Sequence, residues 1–330
     1  MRSDRTILIT GGTGQQGAAA AAALARRGWT VRVLTRDASS AKARALTTAG
    51  VQLAEASLDD RHGLQSAMAD AHAVFCVMPL VTSAMPAGSF ERQLTEAKNA
   101  VDASVAAGVE DFVLSSASSA ERNVNPNLHN KFLVEQYIRS TGRRATFIRP
   151  VAFMDNFVLP QWGLHQGVFT SALLPTTRQP LISVRDIGEF VAIMLERPYP
   201  DETTVRSIEI AGDELLPAEM AAALSAALGR PIPYLQVSTD VLLAINPNSG
   251  NGYARINAGA MNVVDIAAAR ALHPGLMDFR AWLANIGADR LRALLPQPRP
   301  GEVLSALPAW RLEGIHTNHE RTTHADLPML

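Results

Sequence analysis

The feature that most constrains the fold is a glycine-rich turn, Gly11-Gly12-Thr13-Gly14-Gln15-Gln16-Gly17, close to the N-terminus. It follows a short β-branched run, residues 6–10, and opens an alanine-rich segment that ends at Gly28. Glycine permits positive φ and lets the main chain approach a ligand closely. Free amides at a helix start, together with the helix dipole, favour an anion. Between a strand and a helix, this pattern predicts a turn that binds the pyrophosphate of a dinucleotide.

The predicted phosphate-binding residues are Gly11, Thr13, Gly14, Gln15, Gln16 and Gly17. The alternative interpretation is an ordinary glycine turn between a strand and a helix. The pattern that continues after the turn favours the dinucleotide.

Up to residue 150, short β-branched runs alternate with longer segments rich in alanine and leucine. This order predicts an α/β fold of the Rossmann type, a doubly wound parallel sheet with helices on both faces. After residue 150 prolines become frequent and the alternation stops. We therefore predict a nucleotide-binding domain over residues 1–150. A smaller C-terminal α+β substrate lobe, interleaved with the first domain, is predicted over residues 151–330.

Three expectations concern this second half. Residues 182–184 are expected to form a strand that leads into a helix capped by Asp186. Residues 246–252, rich in asparagine and glycine, are expected to form a flexible loop. With Tyr253 and Arg255 that loop is either a lid over the substrate pocket or an ordinary surface loop. The tail from about Thr317 is polar and expected to fray.

Composition excludes several classes of function. The chain has 30 Lys and Arg residues against 31 Asp and Glu residues, a net charge of −1, so no attraction to nucleic acid or to an anionic membrane is expected. No apolar run approaches the roughly 18 residues that a membrane-spanning helix needs. The N-terminus lacks the apolar core of a signal peptide. These features predict a cytoplasmic protein without a membrane or nucleic-acid partner. A homodimer is a further expectation.

The single cysteine, Cys76, excludes an internal disulfide and a metal site with several cysteines. Within a strand it is expected to be a small buried apolar residue. His316, His319 and His324 lie in the tail without a cluster of carboxylates around them, so no metal site is predicted.

The end of the second predicted strand, Leu34-Thr35-Arg36-Asp37, bears on the choice of cofactor. Arg36 lies 22 positions after Gly14 (36 − 14), close to the usual separation of about 20. A guanidinium can bind a 2′-phosphate bidentately, whereas an acidic residue binds a free 2′-hydroxyl. Arg36 favours NADP(H). The alternative is that Asp37 binds the ribose diol while Arg36 points to solvent.

Two further loops are predicted to contact the cofactor because they follow neighbouring strands of the sheet. The loop after the third strand contributes Ser57 and Leu58, near the adenine. The loop after the fourth strand contributes Met78 and Pro79, near the pyrophosphate and the nicotinamide ribose.

Four segments occur in order: the glycine turn, Leu34-Thr-Arg-Asp37, Asn130-Lys-Phe-Leu-Val-Glu-Gln-Tyr-Ile-Arg-Ser-Thr-Gly142, and Ile148-Arg-Pro-Val-Ala-Phe-Met-Asp-Asn-Phe157. Together they resemble the NmrA-like group of atypical short-chain dehydrogenases, over roughly residues 5 to 200. The resemblance implies an extended NADP-binding domain with a C-terminal substrate lobe. It also implies that Lys131 and the stretch 153–156, with Phe153 and Asn156, line the nicotinamide end.

The sequence departs from short-chain dehydrogenases at one position. Those enzymes use Tyr-x-x-x-Lys on one helix, where the lysine lowers the pKa of the tyrosine and the tyrosine transfers a proton. Here Asn127 stands four residues before Lys131, and no Tyr-x-x-x-Lys occurs in the chain. His129 is two residues from Lys131 and therefore points elsewhere on a helix. Ser115 and Ser116 stand where the active-site serine of the family would be.

Lys131 is the predicted catalytic residue. The chain has 3 lysines and 27 arginines, so a lysine inside the family block is informative. Lys131 is expected to bind the ribose hydroxyls, and a desolvated lysine can also act as an acid or base. The alternative is a surface lysine paired with Glu135 at i+4.

Two functions remain open. The first is an NADPH-dependent reductase that transfers a hydride to a carbonyl, quinone or conjugated double bond of a small apolar substrate. The second is a non-catalytic NADP(H) sensor that binds a protein partner, which the missing tyrosine favours.

The NADP(H) assignment predicts the effect of reversing one charge. Arg36→Asp should weaken NADPH binding far more than NADH binding, because only NADPH carries the 2′-phosphate. Dissociation constants for both cofactors, measured on both proteins, check this. Equal losses for the two cofactors would contradict the assignment.

Overall fold

A computed structural model of the chain describes residues 5–81, 85–122, 125–200 and 204–295. The strands are β1 Thr6–Ile9, β2 Thr30–Thr35, β3 Gln52–Glu55, β4 Ala71–Cys76, β5 Asp111–Ser115, β6 Ala145–Pro150, β7 Ala152–Phe153, β8 Phe169–Ser171, β9 Gln179–Ile182, β10 Val205–Ile210, β11 Asp213–Leu215 and β12 Tyr234–Gln236. The helices are α1 Gln15–Arg26, α2 Ala41–Thr48, α3 Arg61–Met68, α4 Ser89–Ala106, α5 Pro126–Ser140, α6 Val184–Glu196, α7 Pro217–Leu228, α8 Thr239–Ile245, α9 Pro247–Asn257, α10 Ile266–Leu272, α11 Phe279–Trp282 and α12 Ala288–Arg292. None of these helices is long and apolar enough to span a bilayer.

Seven strands form one parallel sheet in the order β10-β6-β5-β4-β1-β2-β3. The predicted doubly wound α/β fold is confirmed. The chain builds outward from β1 to β3 on one side and from β4 to β10 on the other. The order therefore reverses beside β1, and ligands of such sheets bind at this switch point, outside the carboxyl ends of the strands.

Alternating side chains of β1 supply two separate apolar layers. Ile7 and Ile9 pack into a core that includes residues of α1 and α6. Leu8 points to the opposite face, where α3, α4 and α5 cover the sheet. Both faces of each central strand are thus buried, which explains why β1 and β4 are continuous apolar runs.

The second half of the chain forms a third core around aromatic side chains. Phe157 stacks on Trp162 at 4.7 Å between ring centroids and contacts Phe169 and Phe279 at 5.5 and 5.0 Å. Two small sheets, β11-β9-β7 and β12-β8, frame it. Strand β10 and helix α6 also come from this half. However, β10 belongs to the central sheet, and α6 packs against one face of that sheet. The division at residue 150 stays a prediction.

The expected flexible loop at residues 246–252 is wrong, because this segment begins helix α9. The side chain of Asn246 caps the helix by accepting a hydrogen bond from the Ser249 amide, and Pro247 occupies the first turn. Gly250 lets α9 lie against α8, since a Cβ there would approach Leu243 Cα within 2.6 Å. Capping and packing together outweigh the poor helix propensity of asparagine and glycine.

The expected N-cap of α6 is also wrong. Ser183 caps the helix by accepting from the Arg185 amide, and β9 ends one residue earlier, at Ile182. Asp186 is buried and accepts a hydrogen bond from the Met277 amide at 3.0 Å. Its other oxygen lies 3.1 Å from His273 Nε2. Asp186 therefore fastens the segment after α10 to the central layer.

Two helical glycines allow a matched stability test. A Cβ on Gly188 would lie 2.5 Å from backbone atoms of Ala19, so Gly188→Ala must push α6 away from α1 and should destabilise the protein by roughly 1–3 kcal/mol. A Cβ on Gly252 of α9 meets nothing among the described residues within 4 Å, so Gly252→Ala should stabilise by up to ~1 kcal/mol. Urea unfolding midpoints measure both. Similar shifts in the two variants would contradict this account of the α1–α6 contact.

Candidate functional site

A cavity of about 840 Å³ opens at the carboxyl ends of the central strands, beside the switch point. Of the predicted cofactor-binding residues, the cavity is lined by Gly11, Thr13, Gly14, Gln15, Gln16, Arg36, Ser57, Leu58, Met78, Pro79 and Phe153. The structure thus brings together residues from five separate segments of the sequence. The remaining three, Gly17, Lys131 and Asn156, do not line it.

The glycine turn forms one end of the cavity. Gly11 has φ +63°, a left-handed conformation that favours glycine. A Cβ on Gly17 would overlap with the carbonyl oxygen of Gly11, and it would lie 2.6 Å from Gly12 Cα. The predicted contact of Gly17 with the phosphate stays a prediction, and the structure gives this glycine a packing role. It lets the first turn of α1 pack directly on the backbone of the glycine turn.

The N-terminus of α1 is open to the cavity. Its N-cap residue is Gly14, and no side chain of the described residues caps the helix there. By contrast, α2 and α3 are capped by the side chains of Ser40 and Asp60. Backbone amides at a helix start need an acceptor. In α1 they face a cavity that a phosphate group can enter, so the residues present fit a dinucleotide.

At the other end of the cavity lie Arg36 and Asp37, both exposed. The Asp37 carboxylate accepts hydrogen bonds from the Ser39 hydroxyl at 2.6 Å and from the Ser39 amide at 2.8 Å. These bonds hold the pKa of Asp37 below its usual range. The carboxylate of Asp37 is thus hydrogen-bonded within its own turn, whereas Arg36 is exposed at the cavity.

Helix α4 contributes polar residues that the sequence analysis missed. Arg92, Gln93 and Glu96 line the cavity. They lie beside Asp59, which belongs to the predicted loop after β3. Arg92 Nε lies 3.9 Å from Glu96 Oε1. The signal was available in principle, because α4 follows β4 and its first turns must begin near the carboxyl edge of the sheet.

Lys131 is half-buried and is not among the residues that line the cavity. Its amine donates hydrogen bonds to the carbonyl oxygens of Ser115 at 2.7 Å and Ser116 at 3.2 Å. Burial lowers the pKa of Lys131 to about 8, and the negative charge of Glu135 opposes part of this shift. The hydroxyl of Ser115 donates to Gln16 Oε1 at 2.7 Å, so Ser115 connects Lys131 to a residue that lines the cavity.

The alternative in which Lys131 pairs with Glu135 at the surface is wrong. Glu135 is fully buried, and Arg149 donates to both of its oxygens, at 2.9 and 2.5 Å. The Ser116 hydroxyl donates to the same carboxylate at 2.5 Å. Glu135 therefore neutralises Arg149 and anchors the backbone that holds the lysine amine.

Asn127, which stands where short-chain dehydrogenases have their tyrosine, has a structural task. Its side chain accepts from the Val81 amide at 3.0 Å and donates to the Val81 carbonyl at 2.7 Å. It also accepts from Gln93 Nε2 at 2.8 Å. The amide thus clamps the loop after β4 to α5. His129 is exposed.

Phe153 and Asn156 follow β6, and only Phe153 lines the cavity. Asn156 is half-buried in a 3₁₀ turn. Its neighbour Asp155 accepts from the Val184 amide at 2.9 Å and pairs with Arg290 at 2.8 Å. These bonds tie the stretch to α6 and α12 and fix the position of Phe153.

Cys76 is buried, and burial raises the pKa of its thiol to about 11. It remains protonated at neutral pH, so the expected small apolar role is confirmed. The tail histidines lie outside the described residues.

At the amino edge of the sheet, His72, Glu110 and Asp111 bring three possible metal ligands together. Arg144 pairs with both carboxylates, at 3.0 and 3.4 Å, and already supplies a positive charge there. The absence of a metal site stays a prediction.

Known proteins resemble this chain along most of its length. The model of the NmrA-like family matches residues 3–265. NAD(P)H azoreductase from Xenophilus azovorans is 30% identical over 275 residues, which span 82% of this chain and 90% of that protein.

Solved structures share the fold at lower identity. NmrA, a negative transcriptional regulator in complex with NADP, superimposes with a TM-score of 0.71 at 20% identity, covering 88% of this chain and 98% of the other. A triphenylmethane reductase from Citrobacter sp. complexed with NADP(H) gives 0.70 at 19% identity, covering 84% and 99%. The family model and the azoreductase, together with the fold, show that the chain belongs to the NmrA-like family.

Proposed function

We propose that this protein is an NADPH-dependent reductase acting on small apolar substrates. The observation that carries the proposal is the cavity itself, with an uncapped helix N-terminus at one end and Arg36 at the other. The pyrophosphate of a dinucleotide can bind at the helix N-terminus, and the 2′-phosphate of NADP(H) can bind Arg36. The names of a curated relative, an NAD(P)H azoreductase, and of a triphenylmethane reductase support the same class of chemistry.

The chain would hold the cofactor as follows. The amides of Gln15 and Gln16 and the turn at Gly11 bind the pyrophosphate. Arg36 binds the 2′-phosphate. Met78 and Pro79, after β4, face the ribose and nicotinamide end.

When bound, reduced nicotinamide supplies a hydride, and the substrate gains that hydride together with one proton. Lys131 is the residue we propose to hold this proton. Two of the three donors of its ammonium group bind the carbonyls of Ser115 and Ser116, which leaves one donor for a ribose hydroxyl or for the substrate. Burial favours loss of the proton, since it lowers the pKa of the ammonium group to about 8.

The substrate would be apolar because the cavity near the loop after β4 is apolar. Leu80 is 71% exposed and Met85 is 45% exposed, and both line the cavity with Phe153. A quinone, an azo compound or another extended conjugated acceptor fits this surface. Such acceptors can also take their proton from solvent, so the asparagine at position 127 does not prevent reduction.

A second candidate is a non-catalytic NADP(H) sensor that acts through a protein partner. The clamp made by Asn127 favours it, because no proton donor stands at the usual position. The related fold of NmrA, which is described as a negative transcriptional regulator, is also in its favour.

A turnover panel separates the two candidates. The protein would be mixed with NADPH and with quinones, azo dyes, enones and aldehydes, and oxidation would be followed by the absorbance of reduced nicotinamide. We expect turnover with the conjugated acceptors. Tight NADPH binding without oxidation of the cofactor by any acceptor would favour the sensor.

The pKa of Lys131 predicts a pH profile. As the pH rises through about 8 the ammonium group loses its proton, so kcat should fall with an apparent pKa near that value. Lys131→Met should lower kcat by roughly a hundredfold, with a smaller loss of NADPH affinity, and should remove this decline. Lys131→Arg, which stays protonated, should move the decline to higher pH. An unchanged pH profile in both variants would show that another group sets the rate.

A further inference from the structure

We propose that Arg92 is a second binding residue for the 2′-phosphate of NADP(H), and that Glu96 competes with the phosphate for it. The two residues form a switchable ion pair on α4 that sets selectivity between NADPH and NADH. This inference rests on the proposed cofactor, and it assigns a role to two residues outside every sequence motif of the chain.

The geometry places the pair at the adenosine end of the cavity. Arg92 and Glu96 stand one helical turn apart on α4, and both line the same cavity as Arg36. Their side chains are 3.9 Å apart, a loose contact. The Arg92 side chain is 63% exposed, whereas that of Glu96 is only 19% exposed. The arginine is therefore free to move toward a ligand, and the glutamate stays in place.

Charges from three elements meet at this end. Glu96 faces Arg92 on its own helix, Asp59 from the loop after β3, and Arg36 from the end of β2. Asp59 is bonded to the Ser57 hydroxyl, which lowers the pKa of its carboxyl, and the charges of Arg92 and Arg36 lower it further. Two arginines thus balance two carboxylates before any ligand enters.

A phosphate group changes this balance. It attracts both arginines and repels both carboxylates, and it can bind Arg92 more closely than Glu96 does at 3.9 Å. Glu96 then loses its counter-ion inside a site where burial already raises the pKa of its carboxyl, and the charge of Asp59 acts in the same direction. Glu96 consequently tends to take up a proton when the phosphate binds. NADH has no 2′-phosphate and leaves the pair intact.

The test measures dissociation constants of the full chain for NADPH and NADH, and for the fragments 2′,5′-ADP and 5′-AMP. The variants are Arg92→Ala and Glu96→Gln. Arg178→Ala is the matched control, because Arg178 is also half-exposed and paired with a glutamate, Glu219 at 3.4 Å, but does not line the cavity.

We expect Arg92→Ala to weaken NADPH and 2′,5′-ADP binding at least tenfold, with less than a twofold change for NADH and 5′-AMP. Glu96→Gln should tighten NADPH binding severalfold at pH 8. At pH 6 this gain should be smaller, because wild-type Glu96 is then more often protonated. Protonation of the 2′-phosphate near pH 6 acts in the same direction, because it also weakens the repulsion between the phosphate and Glu96. The control should match the wild type for all four ligands.

The inference is overturned if Arg92→Ala weakens both cofactors equally or neither, or if Glu96→Gln weakens NADPH binding. If NADPH selectivity is lost in Arg36→Asp but kept in Arg92→Ala, the role of Arg92 fails while the proposed cofactor stands. A wild-type protein that binds neither NADPH nor 2′,5′-ADP would overturn both.

Discussion

The site depends on how closely the first helix approaches the backbone around it. At Gly17 there is no room for a Cβ between α1 and the glycine turn, and at Gly188 there is none between α6 and α1. These two contacts fix α1 from both sides, so its N-terminus is held at the carboxyl edge of the sheet. Since that N-terminus lacks a side-chain cap among the described residues, the fold presents unsatisfied amides at a defined point in the cavity.

Behind the cavity, polar contacts replace the usual short-chain dehydrogenase arrangement. Glu135 and Arg149 form a buried pair that anchors Ser116, and the carbonyls of Ser115 and Ser116 hold the Lys131 amine. Asn127 is committed to the loop after β4. The lysine amine is thus held by these two backbone carbonyls, and a tyrosine takes no part. For the reductase that we propose, this arrangement favours substrates that accept a hydride readily and need little help from a protein acid.

Opposite charges organise the other end of the cavity. Arg36, Asp59 and the α4 pair Arg92–Glu96 come from three elements, and each arginine faces both carboxylates. The charges of this cluster balance one another, and its two arginines offer positive charge to an anionic ligand. In the cofactor role that we propose, selectivity depends on competition between the ligand and the protein carboxylates for the arginines, and on Arg36 itself.

The sequence by itself predicted the sheet, the glycine turn and the family, and it singled out Arg36 as a candidate, because these depend on short runs of neighbouring residues. Only the tertiary structure placed Arg92 and Glu96 beside Arg36, since residues about 60 positions apart meet through the packing of α4 on the sheet. Tertiary contacts also explain why helix α9 begins within residues 246–252, and why Asp186 has a hydrogen-bond partner far along the chain. Local backbone preferences act within a few residues, whereas caps, buried pairs and cavity walls are decided by contacts between elements.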